Sequence, residues 1–186
     1  MAPSTYQIEL FKKLSPILGI DCKVTNYGDE NNERNIRILS CPDPVDGKVK
    51  FYSTLGMSEQ NITDLDFEIM LTGFAIYEKI PNILSTSAFF VLKDGWKCEI
   101  GRVFETLVEM YYPNLDMKHL YFSSPYLWED KLENFAIDSG KIDFFLGIPI
   151  SDKELEYKNE NGHIALEDLF EKQEINIFDL NRKSLI

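Results

Sequence analysis

The chain has 186 residues, of which 44% are hydrophobic and 13% aromatic, and this composition is typical of a globular protein rather than a disordered one. A chain of this length buries about 68–70% of its unfolded surface, which predicts a single domain over residues 1–186. Lys and Arg number 19 against 31 Asp and Glu, and the net charge of −12 disfavours direct binding to DNA or RNA. Such a surface favours a basic protein partner, although it is equally compatible with a role in solubility alone.

The cysteines and the apolar runs indicate the cellular compartment in which the protein is expected to act. No apolar run approaches the ~20 residues that span a bilayer, and the N-terminal segment lacks the basic and apolar regions of a secretory signal. Cys22, Cys41 and Cys98 are widely spaced and form no C-x-x-C pair, which predicts reduced thiols in a cytoplasmic protein rather than a disulfide or a zinc site. The glycosylation sequon Asn61-Ile62-Thr63 is interpreted as a chance match.

The first element in chain order is a helix. Ser4 and Gln7 have capping-box spacing, and the apolar face of the helix that follows comprises Leu10, Phe11 and Leu14. Ser15-Pro16 is expected to end it. A polar stretch without periodicity then predicts a loop over residues 26–35.

Strands and a second helix follow. Residues 36–40 and 49–53 are predicted to pair as a hairpin, since Asp46-Gly47 is a turn signal between them. The alternation of apolar and acidic residues over Leu65 to Leu71 predicts a half-buried strand. After Pro81, apolar residues at helical spacing predict a helix that ends at Asp94-Gly95.

The C-terminal half mixes both kinds of element. Residues 101–112 are compatible with either a helix or a strand. The β-rich segments predict strands over 119–122, 142–148 and 175–178, and the apolar spacing predicts helices over 152–157 and 162–172. Because strands and helices do not alternate as βαβ units, the fold class predicted is α+β, a mixed and largely antiparallel sheet flanked by helices in one domain.

Few residues are candidates for catalysis or cofactor binding. His119 and His163 are the two histidines, and neither has a metal-ligand spacing. Cys98 follows Trp96, and the sequence shows no electropositive setting that would activate a thiol, which favours a buried small hydrophobic residue over a nucleophile. The glycine-rich and nucleophile motifs of common enzymes are absent from the sequence. We therefore predict no catalytic residue, no metal and no cofactor.

Two groups of residues are candidates for protein binding. Residues 152–174 contain eight acidic residues against three Lys, which is typical of a solvated helix face but also of a docking surface for a basic protein. Aromatic residues from Tyr111 to Trp128 are candidates for interface contacts, with core packing as the alternative. The predicted contact residues are Tyr121, Tyr126, Trp128, Asp152, Glu154, Glu156, Glu160, Glu167, Asp168 and Glu171.

Several segments together resemble the suppressor of fused domain family. They are Tyr52 to Ser58, the strand around Glu68, His119 to Trp128, Phe144 to Ser151 with Glu154, the helix Leu166 to Phe170, and Asp179 to Ser184 with Arg182. Their shared order and spacing carry the resemblance, which covers most of the chain.

The resemblance implies binding without catalysis. Animal members of the family hold transcription factors inactive with the help of an additional domain, whereas bacterial members of this length resemble immunity proteins that neutralise a cognate toxin in the cytoplasm. The second function is the one predicted, with a basic toxin domain as the partner. The alternatives are an enzyme with an unrecognised site near His119 or Cys98, and a scaffold protein without a toxin.

Overall fold

A seven-stranded mixed sheet runs through the protein in a computed structural model that describes residues 2–31, 33–60 and 66–186. Its strands are β1 (Lys23–Gly28), β2 (Asn35–Pro42), β3 (Val49–Leu55), β4 (Phe67–Phe74), β5 (Val103–Phe104), β6 (Met117–Ser123) and β9 (Asp143–Ser151). The order across the sheet is β1-β2-β3-β4-β9-β6-β5, and every neighbouring pair is antiparallel except β4 with β9. A small hairpin of β7 (Ala136–Ile137) and β8 (Gly140–Lys141) lies apart from it.

Helices cover the sheet on both faces. They are α1 (Thr5–Leu18), α2 (Ile80–Asp94), α3 (Glu129–Leu132), α4 (Asp152–Asn161) and α5 (His163–Lys172). One buried cluster joins Leu10 and Leu14 of α1 to Met70 of the sheet and Phe170 of α5, and a second joins α2 to the opposite sheet face. The arrangement confirms the α+β class and the largely antiparallel mixed sheet.

The ends of the first two helices show why these segments fold as helices. Ser4 caps α1 and accepts from Gln7 N–H at 3.0 Å, while the Gln7 side chain accepts from Ser4 N–H at 3.2 Å. The helix continues through Pro16 to Leu18, two residues beyond the expected end. α2 has Pro81 in its first turn, where a missing N–H costs no helical hydrogen bond, and ends at Gly95 in the left-handed conformation.

β4 corrects the prediction of a half-buried strand. The strand is buried on both faces from Glu68 to Gly73, because α1 packs toward one side of the sheet and α2 toward the other. The alternation of apolar and acidic residues therefore does not correspond to one buried and one solvent-exposed face, since Glu68 is fully buried. Leu65, the predicted first residue, lies outside the described residues, as does the sequon Asn61-Ile62-Thr63.

Two other predictions of local structure require revision, and one open alternative is resolved. The polar loop predicted over residues 26–35 begins as the second half of β1, which pairs with β2. Residues 101–112 contain the short β5 and turns rather than a helix. Residues 175–178 contain a turn at 177–178 rather than a strand, and the Phe178 carbonyl accepts from Phe74 N–H at 2.8 Å.

The prediction of three reduced thiols is wrong, because Cys22 and Cys41 form a disulfide. Lys23 and Ser40 are partners in the β1–β2 ladder, and this register brings the adjacent Cys22 and Cys41 opposite each other. Their Cα atoms lie 4.2 Å apart. Cys98 is the free cysteine and is buried.

Candidate functional site

The segment after β3 surrounds a buried carboxylate on β4. Glu68 accepts from the Thr54 hydroxyl at 2.6 Å and from Gly56 N–H at 2.8 Å, and Met57 N–H and the Tyr6 hydroxyl donate at 3.2 and 3.3 Å. Desolvation outweighs these donors and raises the pKa of Glu68 to about 7. The cluster ties α1, the β3 exit and β4 together, so the Thr54-Leu55-Gly56 motif has a structural role.

Gly56 is the residue that this exit requires. Its φ is +102°, a backbone conformation that other residues rarely adopt. A Cβ atom there would lie 2.6 Å from Nε2 of Gln7, so the Gln7 side chain would have to shift. The glycine lets the backbone N–H groups of residues 56 and 57 reach Glu68.

A second buried carboxylate, Glu154, lies at the start of α4. Its side chain is 0% exposed and accepts from both terminal nitrogens of Arg182, at 2.6 and 2.8 Å. Glu154 also accepts from Ser151 N–H at 3.0 Å, which completes a capping box, and from Leu185 N–H at 3.1 Å. Arg182 donates further to the Pro149 carbonyl at 2.9 Å. The C-terminal segment is therefore fixed to the end of β9.

His119 has both ring nitrogens engaged. Thr106 N–H donates to Nδ1 at 3.0 Å, and Nε2 lies 2.9 Å from Asp152. Because Nδ1 accepts, the proton of the neutral ring is on Nε2 and is donated to the carboxylate. Lys118 also pairs with Asp152, and these two partners hold the pKa of that carboxyl below its ordinary value, against its partial desolvation. The contacts give His119 a structural role between β6 and α4.

Cys98 lies in an apolar environment. Burial, followed by the nearby charge of Glu99, raises the pKa of its thiol far above the ordinary value. A thiol held in the neutral form is a poor nucleophile and a poor metal ligand. Among the residues that the structure describes, no group of three or more His, Cys, Asp or Glu is arranged to hold a metal ion.

The structure places three predicted contact residues in the interior. Tyr121 is 0% exposed, Trp128 is 7% exposed and packs edge-on against Phe51 at 5.0 Å, and Glu154 pairs with Arg182 as described. The rings of Tyr121 and Trp128 pack in the core, and Glu154 is buried in its ion pair with Arg182. Each of the three therefore has a structural role in the fold, and their contact with a partner stays a prediction.

The other predicted residues are distributed over the surface of α4 and α5. Glu156, Glu160 and Asp168 are exposed, and Asp152 is exposed but paired with Lys118 and His119. Tyr126, Glu167 and Glu171 instead come together along one groove. Contact with a partner stays a prediction for all of these residues.

The groove runs between α5 and the turn that follows β6. Its volume is about 610 Å³, and its lining comprises Ser123, Ser124, Tyr126, Ile148, Glu167, Phe170, Glu171, Glu174 and Ile175. The Tyr121 and Ser123 hydroxyls both donate to Oε1 of Glu167, at 2.8 and 2.7 Å. Partial burial and the charge of Glu167 raise the pKa of Tyr126 to about 12, so its phenol is neutral at physiological pH.

The sequence did not identify the whole groove. Glu174 belongs to the acidic segment but is not one of the predicted contact residues, and the sequence predicts strands at Ile148 and Ile175 and a helix at Phe170 rather than one apolar floor. The helical spacing of Glu167, Glu171 and Glu174 is a signal for one acidic face. Nothing in the local sequence places that face beside Tyr126.

The fold and the sequence together define the family. The family described as Suppressor of fused protein (SUFU) matches residues 32–183, and this chain belongs to that family. It is 35% identical over 170 residues to Immunity protein YqcF of Bacillus subtilis (strain 168), covering 88% of each chain.

Solved structures share the fold. A SUFU homologue of Neisseria gonorrhoeae FA 1090 superposes with a TM-score of 0.77 at 21% identity over 97% of both chains. A chain of the Sufu–Fu complex gives a TM-score of 0.55 at 14% identity, over 95% of this chain and 82% of that one. Drosophila Suppressor of Fused gives 0.54 at 12% identity, and this chain spans 42% of its length. None of the helices among the described residues is long and apolar enough to cross a membrane.

Proposed function

We propose that this protein is an immunity protein, which neutralises a cognate toxin of a polymorphic toxin system by binding it directly. The observation that carries the proposal is the 35% identity to Immunity protein YqcF over 88% of both chains. A relationship that covers most of both chains makes a shared mode of action the simplest inference.

The proposed mode of action is steric and does not involve catalysis. The buried carboxylates Glu68 and Glu154, and the ring of His119, each have their polar atoms engaged in contacts within the fold. Buried polar groups that are fully hydrogen-bonded stabilise a fold and leave no free proton acceptor at a substrate. The surface offers a better explanation of function than these interior groups.

The charge supports a basic partner. A net charge of −12 steers a cationic protein toward the surface and raises its association rate. Toxins that act on nucleic acid carry clustered Lys and Arg for the phosphate backbone, so an acidic protein can cover the same surface. The proposal places the encounter in the cytoplasm, where such a toxin finds its target.

The test is protection of growth. The protein encoded by the neighbouring gene is expressed in a bacterial host alone and together with this chain, and the two purified proteins are mixed for affinity capture. We expect the neighbour to arrest growth, this chain to restore it, and the two to form a stable complex. Capture without any toxicity of the neighbour indicates a scaffold instead, and turnover of a small molecule by the purified chain contradicts the proposal.

A further inference from the structure

The groove beside α5 has an apolar floor and an acidic rim. Phe170 and Ile175 line it together with Ile148 of β9, and Glu167, Glu171 and Glu174 contribute the carboxylates. At about 610 Å³ it falls within the range of about 300–1,000 Å³ that is typical of binding pockets. It therefore combines the space and the polarity of a binding site.

The carboxylates of the groove lack a cationic partner among the described residues. In the part of the chain that the structure describes, none of Glu167, Glu171 and Glu174 forms an ion pair with a Lys or Arg. Other carboxylates of the protein do have cationic partners, including Glu9, Asp29, Asp143 and Glu154. A cationic group of another molecule could therefore form the ion pairs that these carboxylates lack.

Glu167 is held in position for such a cation. Both hydroxyl donors, from Tyr121 and Ser123, bind its Oε1 atom. No group within the described ranges donates a hydrogen bond to Oε2 of Glu167, although the side chain is half-buried. A preorganised carboxylate loses little conformational entropy when it accepts a donor.

Tyr126 provides a second kind of contact. The residue is 43% exposed and lines the groove, and it lies close enough to Glu167 for the carboxylate charge to act on its phenol. An aromatic ring beside carboxylates favours a guanidinium, because that planar cation stacks on the ring and donates to the carboxylates at the same time. The methylene groups of the same side chain can pack on Phe170 and Ile175.

We infer that this groove binds an arginine side chain presented by the protein partner, with Glu167 as the fixed acceptor and Tyr126 as the stacking surface. The inference rests on the proposed function, since it assigns the anchor contact of the same complex. It also separates this groove from the rest of the acidic surface, so that Glu156 and Glu160 on α4 contribute long-range attraction only.

Two charge-reversal variants test the inference. Glu171→Lys/Glu174→Lys alters the groove, and Glu156→Lys/Glu160→Lys alters exposed positions of α4 by the same amount, since each changes the net charge from −12 to −8. Circular dichroism and thermal unfolding establish that each variant is folded. Glu171→Gln/Glu174→Gln and Tyr126→Ala are milder alternatives if the groove charge reversal does not fold.

Two probes are used, the protein encoded by the neighbouring gene and a capped hexa-arginine peptide, with a capped hexalysine peptide for comparison. We expect the groove variant to lose at least about tenfold in affinity for the neighbour and for hexa-arginine, and the α4 variant to lose less than about threefold. Tyr126→Ala should weaken hexa-arginine more than hexalysine. Equal losses in both charge variants overturn the inference and leave bulk charge as the cause.

The outcomes also distinguish this inference from the proposed function. If the wild-type chain neither binds the neighbour nor protects against it, the immunity proposal fails whatever the peptides do. If the wild-type chain binds and protects, and Glu171→Lys/Glu174→Lys does so with unchanged affinity, the groove is not the anchor and only this inference fails.

Discussion

Arg182 contacts both carboxylate oxygens of Glu154, and this buried pair joins the C-terminal segment to the first turn of α4. The Arg182 side chain is 8% exposed and that of Glu154 is 0% exposed. Two residues 28 positions apart therefore form one structural unit at the end of β9. The acidic segment 152–174 contains both this buried carboxylate and the groove carboxylates, which have different roles.

Removing the charge of Glu154 should destabilise the protein strongly. Glu154→Gln leaves Arg182 as a buried cation without its partner, and breaking a buried ion pair in this way costs about 3–5 kcal/mol. Urea unfolding followed by circular dichroism measures the loss.

Glu156→Gln is the matched control, since Glu156 lies on the same helix but is exposed. It should change the free energy of unfolding by less than about 0.5 kcal/mol. Equal stability of the two variants would show that the Arg182 pair contributes nothing to the fold.

Glu154 and Glu156 show which features of the fold the sequence predicts and which it does not. Both lie in a run of acidic residues, and composition alone assigns them to one solvated face. The Ser151-Asp152-Lys153-Glu154 spacing is a capping-box signal that distinguishes Glu154, but its partner Arg182 is determined by the path of the C-terminal segment. Local patterns predict local contacts well and distant partners poorly.

The same distinction applies elsewhere in the fold. The Ser4 cap, the hairpin of β2 and β3, and the β6 and β9 strands follow from local signals, and all are present. The Cys22–Cys41 disulfide depends on strand register, and the burial of Glu68 depends on helices packed on both faces. Neither is encoded within a short window of sequence.

Glu68 should make stability depend on pH. Its pKa in the folded protein is about 7, above the ordinary 4.5, so the folded state binds this proton more tightly than the unfolded state. The associated stability is fully present below about pH 4.5 and is lost as the pH rises through about 7. Relative to Glu68→Gln, the wild type should therefore lose about 2–3 kcal/mol between about pH 5 and pH 8.

The measurement is urea unfolding of both proteins at several pH values across that window. Groups shared by wild type and variant cancel in the difference. Carboxyls whose pKa is lowered, such as that of Asp152, act at lower pH and with the opposite sign. A difference that is flat from about pH 5 to pH 8 contradicts the assignment of this dependence to Glu68.

Reduction of the disulfide should lower stability without unfolding the chain. The bridge closes a loop with a sequence separation of 19, for which the chain-entropy relation gives about 3 kcal/mol. Unfolding in urea with and without a phosphine reductant measures the difference. Cys22→Ser/Cys41→Ser should match the reduced protein and show no response to reductant, whereas Cys98→Ala should retain the response. A wild type that is insensitive to reductant contradicts this prediction.

Glu174 should limit stability at the groove. Its φ is +49°, a left-handed conformation that disfavours side chains other than a few polar ones. Glu174→Gly relieves this cost and should raise the free energy of unfolding by up to about 1 kcal/mol, less any entropy gained by the unfolded chain.

Glu156→Gly is the control for this glycine effect, because Glu156 lies in the interior of α4 with helical backbone angles. There the same change should lower stability by about 1 kcal/mol. If the groove has the role inferred above, Glu174→Gly should also weaken the partner complex, so that the variant is more stable and less protective. Parallel losses of stability in both variants would show that residue 174 gains nothing from glycine, and the assignment of backbone strain to that position would then be wrong.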